Sequence, residues 1–251
     1  MVSKKKKGPV IAICIQEPFE DGSSMDFGAI QGDNLKFLHQ AFITDTIGCA
    51  LHVHAAAEVR IYYIDSPERK KLIKIVTEYL KKKLGAQLSS SCKDRLTTCE
   101  LEKEGWGARM EKVFKDCFDN GHSRVLLIGS RTPTFAPRMM GTALRLLEKA
   151  DAVFGPTPEG RYYAIGMSGS YRVKLSEFDW KSPHIYHDVA DAFENDGLAW
   201  SELDIWYAVE TPDYLEVMVR DINQLRIDGD EVTAHETELV IERLLSKLEK
   251  E

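Results

Sequence analysis

The sequence has few cysteines, and they form no recognisable pairs. Its five cysteines are an odd number, and no two of them have the CxxC spacing. Neither a disulfide framework nor a zinc site is therefore predicted. Cys14, Cys49 and Cys117 lie among apolar residues and are expected to be small buried side chains. This usage is typical of the reducing cytoplasm, which is the predicted location.

Long apolar runs are also missing. A basic stretch at residues 4–7 is followed by an apolar run only at residues 10–15, which is too short for a signal peptide or a membrane span. The formal net charge is −7. Nucleic acid and anionic membranes require a concentrated positive surface, so neither partner is predicted. Residues 1–9 are predicted to form a flexible basic tail and residues 10–251 a single domain.

Short apolar runs alternate with longer segments of helical period. Strands are predicted at residues 10–15, 59–64, 125–128, 152–154, 162–165 and 205–209, and the polar stretch 89–101 has room for a short one. Helices are predicted at residues 34–50, 67–84, 107–120, 137–149, 186–195, 212–225 and 236–248. This order predicts an α/β fold, a three-layer α/β/α sandwich around a mixed, mostly parallel sheet.

The position of a binding site follows from this fold class. Ligands of open α/β sheets bind beyond the carboxyl ends of the strands. The loops that follow Ile15, Ile128 and Phe154 are therefore expected to converge and to form the site.

Two stretches of the chain carry a family resemblance. Residues 125–133 read VLLIGSRTP, and residues 151–166 read DAVFGPTPEGRYYAIG. They resemble bacterial glycosyltransferase-like proteins, the radical-SAM/selenodomain-associated transferases. Weaker matches extend the resemblance along nearly the whole chain, at residues 10–15, 42–46, 107–110 and 206–215. The resemblance implies the glycosyltransferase-A-like (nucleotide-diphospho-sugar transferase) fold, a nucleotide-sugar or nucleoside-triphosphate substrate, and Mg²⁺ or Mn²⁺.

The chain departs from this family at the acids that would hold the cation. Where the family usually has an aspartate, this chain has Arg131, and a guanidinium cannot ligate a metal. In the next motif an acid remains as Glu159, and a glycine is replaced by Arg161. In the late Asp-Val-Asp-Thr-Pro motif the two aspartates are replaced by Ala208 and Glu210. The resemblance thus leaves Glu159 and Glu210 as candidate metal ligands.

The first loop departs furthest. The family usually has Gly-x-x-Lys-Thr-Arg there, whereas residues 16–34 contain five acids and no lysine or arginine. A phosphate about 5 Å from one such carboxylate is repelled by roughly 3 kcal/mol at an effective dielectric near 20, so the loop is not expected to hold a triphosphate unaided. Two interpretations stay open: a cation bound by Glu20, Asp21 and Asp26, or a solvated acidic loop.

Three arginines and a tyrosine are the candidate ligand contacts. Arg131 and Arg161 lie in the loops expected beside the phosphates, and a planar guanidinium suits bidentate phosphate contacts. In one hypothesis, Arg109 joins them to hold a nucleotide or nucleotide sugar, with Tyr162 close by and any group transfer independent of metal. In the other, the arginines pair with the remaining glutamates or the first loop, and the closed site serves a non-catalytic interaction module. Catalytic residues and enzymatic activity are left open.

Two histidine pairs are further candidates for metal binding. His52 and His54 would point in the same direction on a strand, and His184 and His187 would share one face of a helix. Neither pair has a third ligand in its pattern, so each is either a metal site or a pair of solvent-exposed side chains.

Overall fold

The computed structural model describes residues 7–20, 23–56, 58–84 and 95–248. Most of the predicted basic tail lies outside these ranges. Lys7, near its end, is bound to the domain: its backbone N–H donates to the carbonyl of Gly121 at 2.9 Å, and its Nζ lies 3.7 Å from the carboxylate of Glu58.

Apolar runs rich in β-branched residues form the sheet. Its strands are β1 (Val10–Cys14), β4 (Glu58–Ile64), β5 (Leu96–Leu101), β6 (Arg124–Gly129), β7 (Ala152–Pro156), β8 (Tyr162–Ser168) and β9 (Trp200–Glu202), and a small hairpin pairs β2 (Phe19–Glu20) with β3 (Ser23–Ser24). In the described residues the strand order is β5-β4-β1-β6-β8-β7-β9. Strand β8 is antiparallel to both neighbours, and the other pairs are parallel. The predicted mixed, mostly parallel sheet is confirmed.

Helices cover both faces of the sheet. They are α1 (Gly32–Leu51), α2 (Pro67–Leu84), α3 (Trp106–Asp119), α4 (Pro137–Leu146), α5 (Ile185–Asn195), α6 (Pro212–Ile227) and α7 (His235–Leu248), with a 3-10 turn at Leu175–Glu177. Strand side chains alternate between two cores: Ile11 and Ile13 pack with α1, α2 and α4, whereas Val10 and Ala12 pack with α3 and α5. Each fully buried valine or isoleucine side chain contributes about 1.5–3 kcal/mol. This is the predicted three-layer arrangement.

The strand predicted at residues 205–209 is wrong, because the chain leaves the ladder after β9. Residues 203–211, here called the edge segment, keep only isolated backbone bonds to the domain. The N–H groups of Leu203, Trp206 and Val209 donate to carbonyls of three different residues, at 2.8, 3.1 and 2.8 Å. The apolar alternation in this stretch therefore reflects an irregular chain that buries Leu203 and Val209 in different clusters and exposes Ile205, and not a pleated strand.

Asp45, in the middle of α1, holds the first turn of α7. Its carboxylate accepts hydrogen bonds from the backbone N–H groups of Glu236 and Thr237, at 2.9 and 2.7 Å, and from the Thr237 hydroxyl at 2.6 Å. The side chain is almost fully buried, and this burial raises the pKa of Asp45 to about 7 against the opposing effect of the hydrogen bonds. One side chain thus fixes α7 against α1.

Candidate functional site

A cavity of about 820 Å³ lies at the carboxyl edge of the sheet. Gln16 after β1, residues 129–132 after β6 and residues 157–161 between β7 and β8 all contribute to its wall. The three loops expected to converge therefore do so. All six candidate residues line this cavity: Arg109, Arg131, Glu159, Arg161, Tyr162 and Glu210. Its volume is within the range of small-molecule sites.

Arg131 is the most constrained of these residues. Its side chain is only 1% exposed, and Nη1 donates to Oε1 of Glu210 at 2.6 Å. Nη2 donates to the backbone carbonyl of Glu17. The backbone N–H of Val209 donates to the Arg131 carbonyl at 2.8 Å, which holds the edge segment against the same loop. Arg131 and Glu210 stand at two positions where the family that this sequence resembles has cation-binding acids, and here an ion pair joins them.

Arg109 brings a second buried guanidinium to the cavity wall. It lies in the first turns of α3 and is 0% exposed. Its guanidinium carbon is 5.0 Å from the centre of the Trp106 ring, in the range of a cation–π interaction. The positive charge therefore lies beside an aromatic surface.

The loop between β7 and β8 carries the remaining candidates. Arg161 is exposed, and its guanidinium makes no ion pair with the residues that the structure describes. Glu159 accepts a hydrogen bond from the hydroxyl of Tyr214. The hydroxyl of Tyr162 donates to the carbonyl of Tyr186 at 2.7 Å, and burial raises the pKa of Tyr162 well above its usual value. Tyr162 is accordingly a neutral ring facing the cavity.

The donor set does not suit a resident divalent cation. Glu210 is paired with Arg131, and Glu159 bonds to Tyr214, so each candidate ligand is engaged by a different partner. In residues 7–20, 23–56, 58–84 and 95–248, no group of three or more His, Cys, Asp or Glu side chains could hold a metal ion. A hard cation needs several oxygen ligands at once.

The acidic first loop is partly engaged by its own neighbours. The carboxylate of Glu17 accepts a hydrogen bond from Nε of Arg69, and that of Asp26 accepts one from a backbone N–H two residues on, at 3.0 Å. The side chain of Glu20 and the whole of Asp21 lie outside the described residues. Repulsion of a phosphate by the loop is therefore weaker than its composition predicts, since paired carboxylates are partly neutralised.

Two residues of this region, Gln16 and His39, were missed by sequence reasoning. Gln16 lines the cavity, and its backbone carbonyl lies 2.8 Å from Nε2 of His39 on α1. Burial, with a smaller contribution from the nearby charge of Arg131, lowers the pKa of His39 to about 4, so the neutral ring donates to Gln16. The position of Gln16, directly after the first strand, was a signal that could have identified it.

Gly107 allows an aromatic wall to pack on α3. Trp106, Tyr162, Phe178 and Trp180 all line this side of the cavity. The indole Nε1 of Trp180 donates to the Leu175 carbonyl at 2.8 Å. A Cβ atom on Gly107 would lie 2.3 Å from that carbonyl oxygen and 2.4 Å from the indole nitrogen.

Gly107→Ala is therefore expected to lower the free energy of unfolding by about 2 kcal/mol, because the packed backbone carbonyl cannot move away easily. The shifted indole should also change the tryptophan fluorescence of the folded protein. Urea unfolding measures the first effect and an emission spectrum the second. Gly105→Ala is the matched control, since a Cβ there meets nothing within 4 Å. Equal stability of the two variants would contradict the packing described.

Comparison with known proteins agrees with the fold described above. Residues 69–182 match the model of a family, DUF2064, described as an uncharacterized protein conserved in bacteria. No curated protein matches the chain. A solved structure described as a nucleotide-diphospho-sugar transferase from Desulfovibrio desulfuricans G20 superposes with a TM-score of 0.71, at 21% identity, over 96% of this chain and 97% of that one. The chain has the nucleotide-diphospho-sugar transferase fold.

A more distant structure has the same architecture. A nucleotidyl transferase from Methanothermobacter thermautotroptrophicus matches with a TM-score of 0.50 and 8% identity, over 86% of this chain and 99% of that one. At these identities the comparisons establish the fold. Within the described part of the chain, every helix is too short or too polar to cross a membrane.

Proposed function

We propose that the cavity binds a nucleotide or nucleotide sugar without a resident cation. The observation that supports this most is the ion pair between Arg131 and Glu210, at 2.6 Å. It places a fixed positive charge where the resembling family places a cation, and it occupies the carboxylate that would otherwise bind one. With both Nη atoms donating inside the protein, Arg131 neutralises a carboxylate that would otherwise repel a phosphate in the cavity.

The rim of the cavity supplies further positive charge. Arg161 and Lys181 are exposed there, and neither makes an ion pair with another described residue. A phosphate about 4 Å from one such cation is attracted by roughly 4 kcal/mol at an effective dielectric near 20, before screening by salt. A diphosphate lying between Arg161 and Lys181 would thus be stabilised, and the paired carboxylate of Glu210 would repel it less.

The cavity volume favours this proposal over a closed site. The alternative is a non-catalytic interaction module in which the arginines serve only internal pairing. Arg131 is paired, as that alternative expects, yet about 820 Å³ of space remains beside it.

The nucleotide-diphospho-sugar transferase described for Desulfovibrio desulfuricans G20 shares the fold, and we infer a divergent, radical-SAM/selenodomain-associated type of transferase in the cytoplasm. Free cysteines at positions 14, 49, 99 and 117 are consistent with a reducing compartment.

The test is a thermal-shift titration with UDP-glucose, GDP-mannose, CTP and UDP, each with EDTA, Mg²⁺ or Mn²⁺. At ten times Kd we expect a ligand to raise Tm by about 4 °C, because binding to the folded state contributes about 1.4 kcal/mol. The rise should be the same with EDTA. Arg161→Gln should weaken binding about tenfold, whereas Arg220→Gln, an exposed arginine on α6 outside the cavity, should leave it unchanged.

Substitution at the ion pair separates the two parts of the proposal. Arg131→Asp is expected to abolish binding in EDTA, and restoration of binding by Mn²⁺ would show that the guanidinium stands in for a cation. A wild-type shift that requires Mg²⁺ or Mn²⁺ would contradict the cation-free site. No shift with any of the four ligands at millimolar concentration would contradict nucleotide binding itself.

A further inference from the structure

A second concavity, of about 600 Å³, lies on another side of the edge segment. Its wall is formed by the loop after α1, by the first turns of α4 and by residues 204–206. Ala208 and Glu210, a few residues on, line the first cavity instead. None of the residues that carry the proposed nucleotide site contributes to this second concavity.

The wall of this concavity carries an excess of positive charge. Arg138 and Arg145 are both exposed, and neither makes an ion pair with any residue that the structure describes. Thr142 lies between the two arginines on the same helical face. Its hydroxyl accepts a hydrogen bond from Nη2 of Arg145 at 2.8 Å. Asp204 is the one acidic residue among those described in the lining, whereas the whole chain has a net charge of −7.

The two arginines can act on one ligand. Seven residues of helix separate their Cα atoms by about 10.5 Å along the axis. An extended arginine side chain reaches about 6–7 Å, so both guanidinium groups can meet over the intervening turn. A phosphate accepts hydrogen bonds from two guanidinium groups more readily than a carboxylate does, because it offers three oxygens in place of two.

The loop that carries His52 and His54 is held in place before any ligand binds. It is not a strand: His52 follows the last residue of α1, and His54 lies in the turn after it. The guanidinium of Arg95 donates to three carbonyls of this loop, those of Leu51, Val53 and Ala56, at 2.6, 3.2 and 2.6 Å. A wall ordered in advance loses little conformational entropy on binding.

The opposite wall is held as firmly. The hydroxyl of Tyr163 donates to the backbone carbonyl of Asp204 at 2.9 Å. Nε1 of Trp206 donates to the hydroxyl of Thr134 at 3.2 Å. Residues 204–206 are therefore fixed to the sheet and to the loop before α4, although they belong to no strand.

Apolar surface lies beside the cations. Ile205 is 63% exposed and Met139 and Trp206 are half-buried, and all three line the concavity. A bare inorganic anion would leave this surface in water, whereas an organic phosphate would cover it. We propose that the concavity binds a phosphate monoester with an apolar or aromatic group, the phosphate lying on Arg138 and Arg145 and the apolar group on Ile205 and Trp206.

The test follows the imidazole resonances of His52 and His54 in the ¹⁵N-labelled protein during titration at constant pH. Single His→Gln variants assign these two among the seven histidines. Phenyl phosphate should give saturable shifts at millimolar concentration or below. Inorganic phosphate should bind about fivefold more weakly, because it cannot cover the apolar surface.

Paired variants locate the phosphate. The double variant Arg138→Gln/Arg145→Gln should weaken phenyl phosphate about tenfold or more, and because both side chains are exposed the fold should survive. Arg220→Gln/Arg243→Gln removes the same charge from exposed positions on α6 and α7 and should change the affinity less than about twofold.

Three results would overturn the proposal. One is the absence of a saturable shift of either histidine at millimolar phenyl phosphate. Another is equal binding by the two double variants. The third is a response that Arg161→Gln abolishes and the α4 variant does not, which would place the phosphate in the first cavity.

Discussion

Replacing Arg131 with methionine is expected to lower the free energy of unfolding by about 3 kcal/mol, because one partner of a buried charge pair is removed. The carboxylate of Glu210, only 24% exposed, would keep its charge without the guanidinium beside it. The backbone carbonyl of Glu17 would lose a donor as well. Urea unfolding followed by fluorescence measures the change.

A double-mutant cycle shows whether the pair is responsible. Arg131→Met/Glu210→Gln should be less destabilised than the sum of the single variants by about 1–2 kcal/mol, since the second change removes the unpaired charge. Arg172→Met is the matched control: its pair with Asp151, at 3.5 Å, is 49% and 34% exposed. Exposed pairs contribute at most about 1 kcal/mol. If Arg131→Met and Arg172→Met were equally stable, the buried pair would have no structural role.

Asp45→Asn is expected to flatten the pH dependence of stability. Burial raises the pKa of Asp45 from its ordinary 3.8 to about 7 in the folded chain. The folded protein therefore holds a proton that the unfolded chain releases, and the resulting stability is present below about pH 4 and lost as pH rises to about 7. The slope reaches at most about 1.4 kcal/mol per pH unit. Asparagine does not titrate, so unfolding curves of the variant across this range should lack the slope.

Asp230 provides a control of opposite sign. Its carboxylate also accepts from two backbone N–H groups, those of Val232 and Thr233, and from the Thr233 hydroxyl. Burial opposes ionisation here too, but it is partial, and the bonds from Thr233 and Val232 with the charge of Arg226 outweigh it and lower the pKa of Asp230. The ionised carboxylate of Asp230 therefore stabilises the folded protein above the ordinary pKa of an aspartate, and this stabilisation is lost as pH falls. If Asp45→Asn and Asp230→Asn changed the slope of the unfolding free energy against pH in the same direction, this account would be contradicted.

The fold could be predicted from the sequence because each element has a strong local signal. Apolar runs such as residues 125–128 and helical spacing such as residues 67–84 identify strand and helix without tertiary information. Parallel strands bring their carboxyl ends to one edge, so the convergence of the loops after β1, β6 and β7 followed from the strand order. The structure confirms this convergence.

The state of the candidate site could not be predicted, because it depends on residues far apart in the chain. The sequence leaves Arg131 either facing a ligand or paired with an acid, and its partner Glu210 is 79 positions away. The conformation of the loop that carries His52 and His54 was left open for a similar reason. It is fixed by Arg95, 44 positions from Leu51, and no local spacing reports such a contact.

Only three residues, Trp200–Glu202, form the outer strand β9 before the chain turns away into the edge segment. A strand from another molecule that approached this edge would find a short row of backbone donors and acceptors, and Glu202 ends it with an exposed charge. Short and charged edges are among the features by which natural sheets avoid strand addition and aggregation. The irregular course of residues 203–211, besides shaping two concavities, thereby leaves a second copy few backbone groups to pair with at this edge.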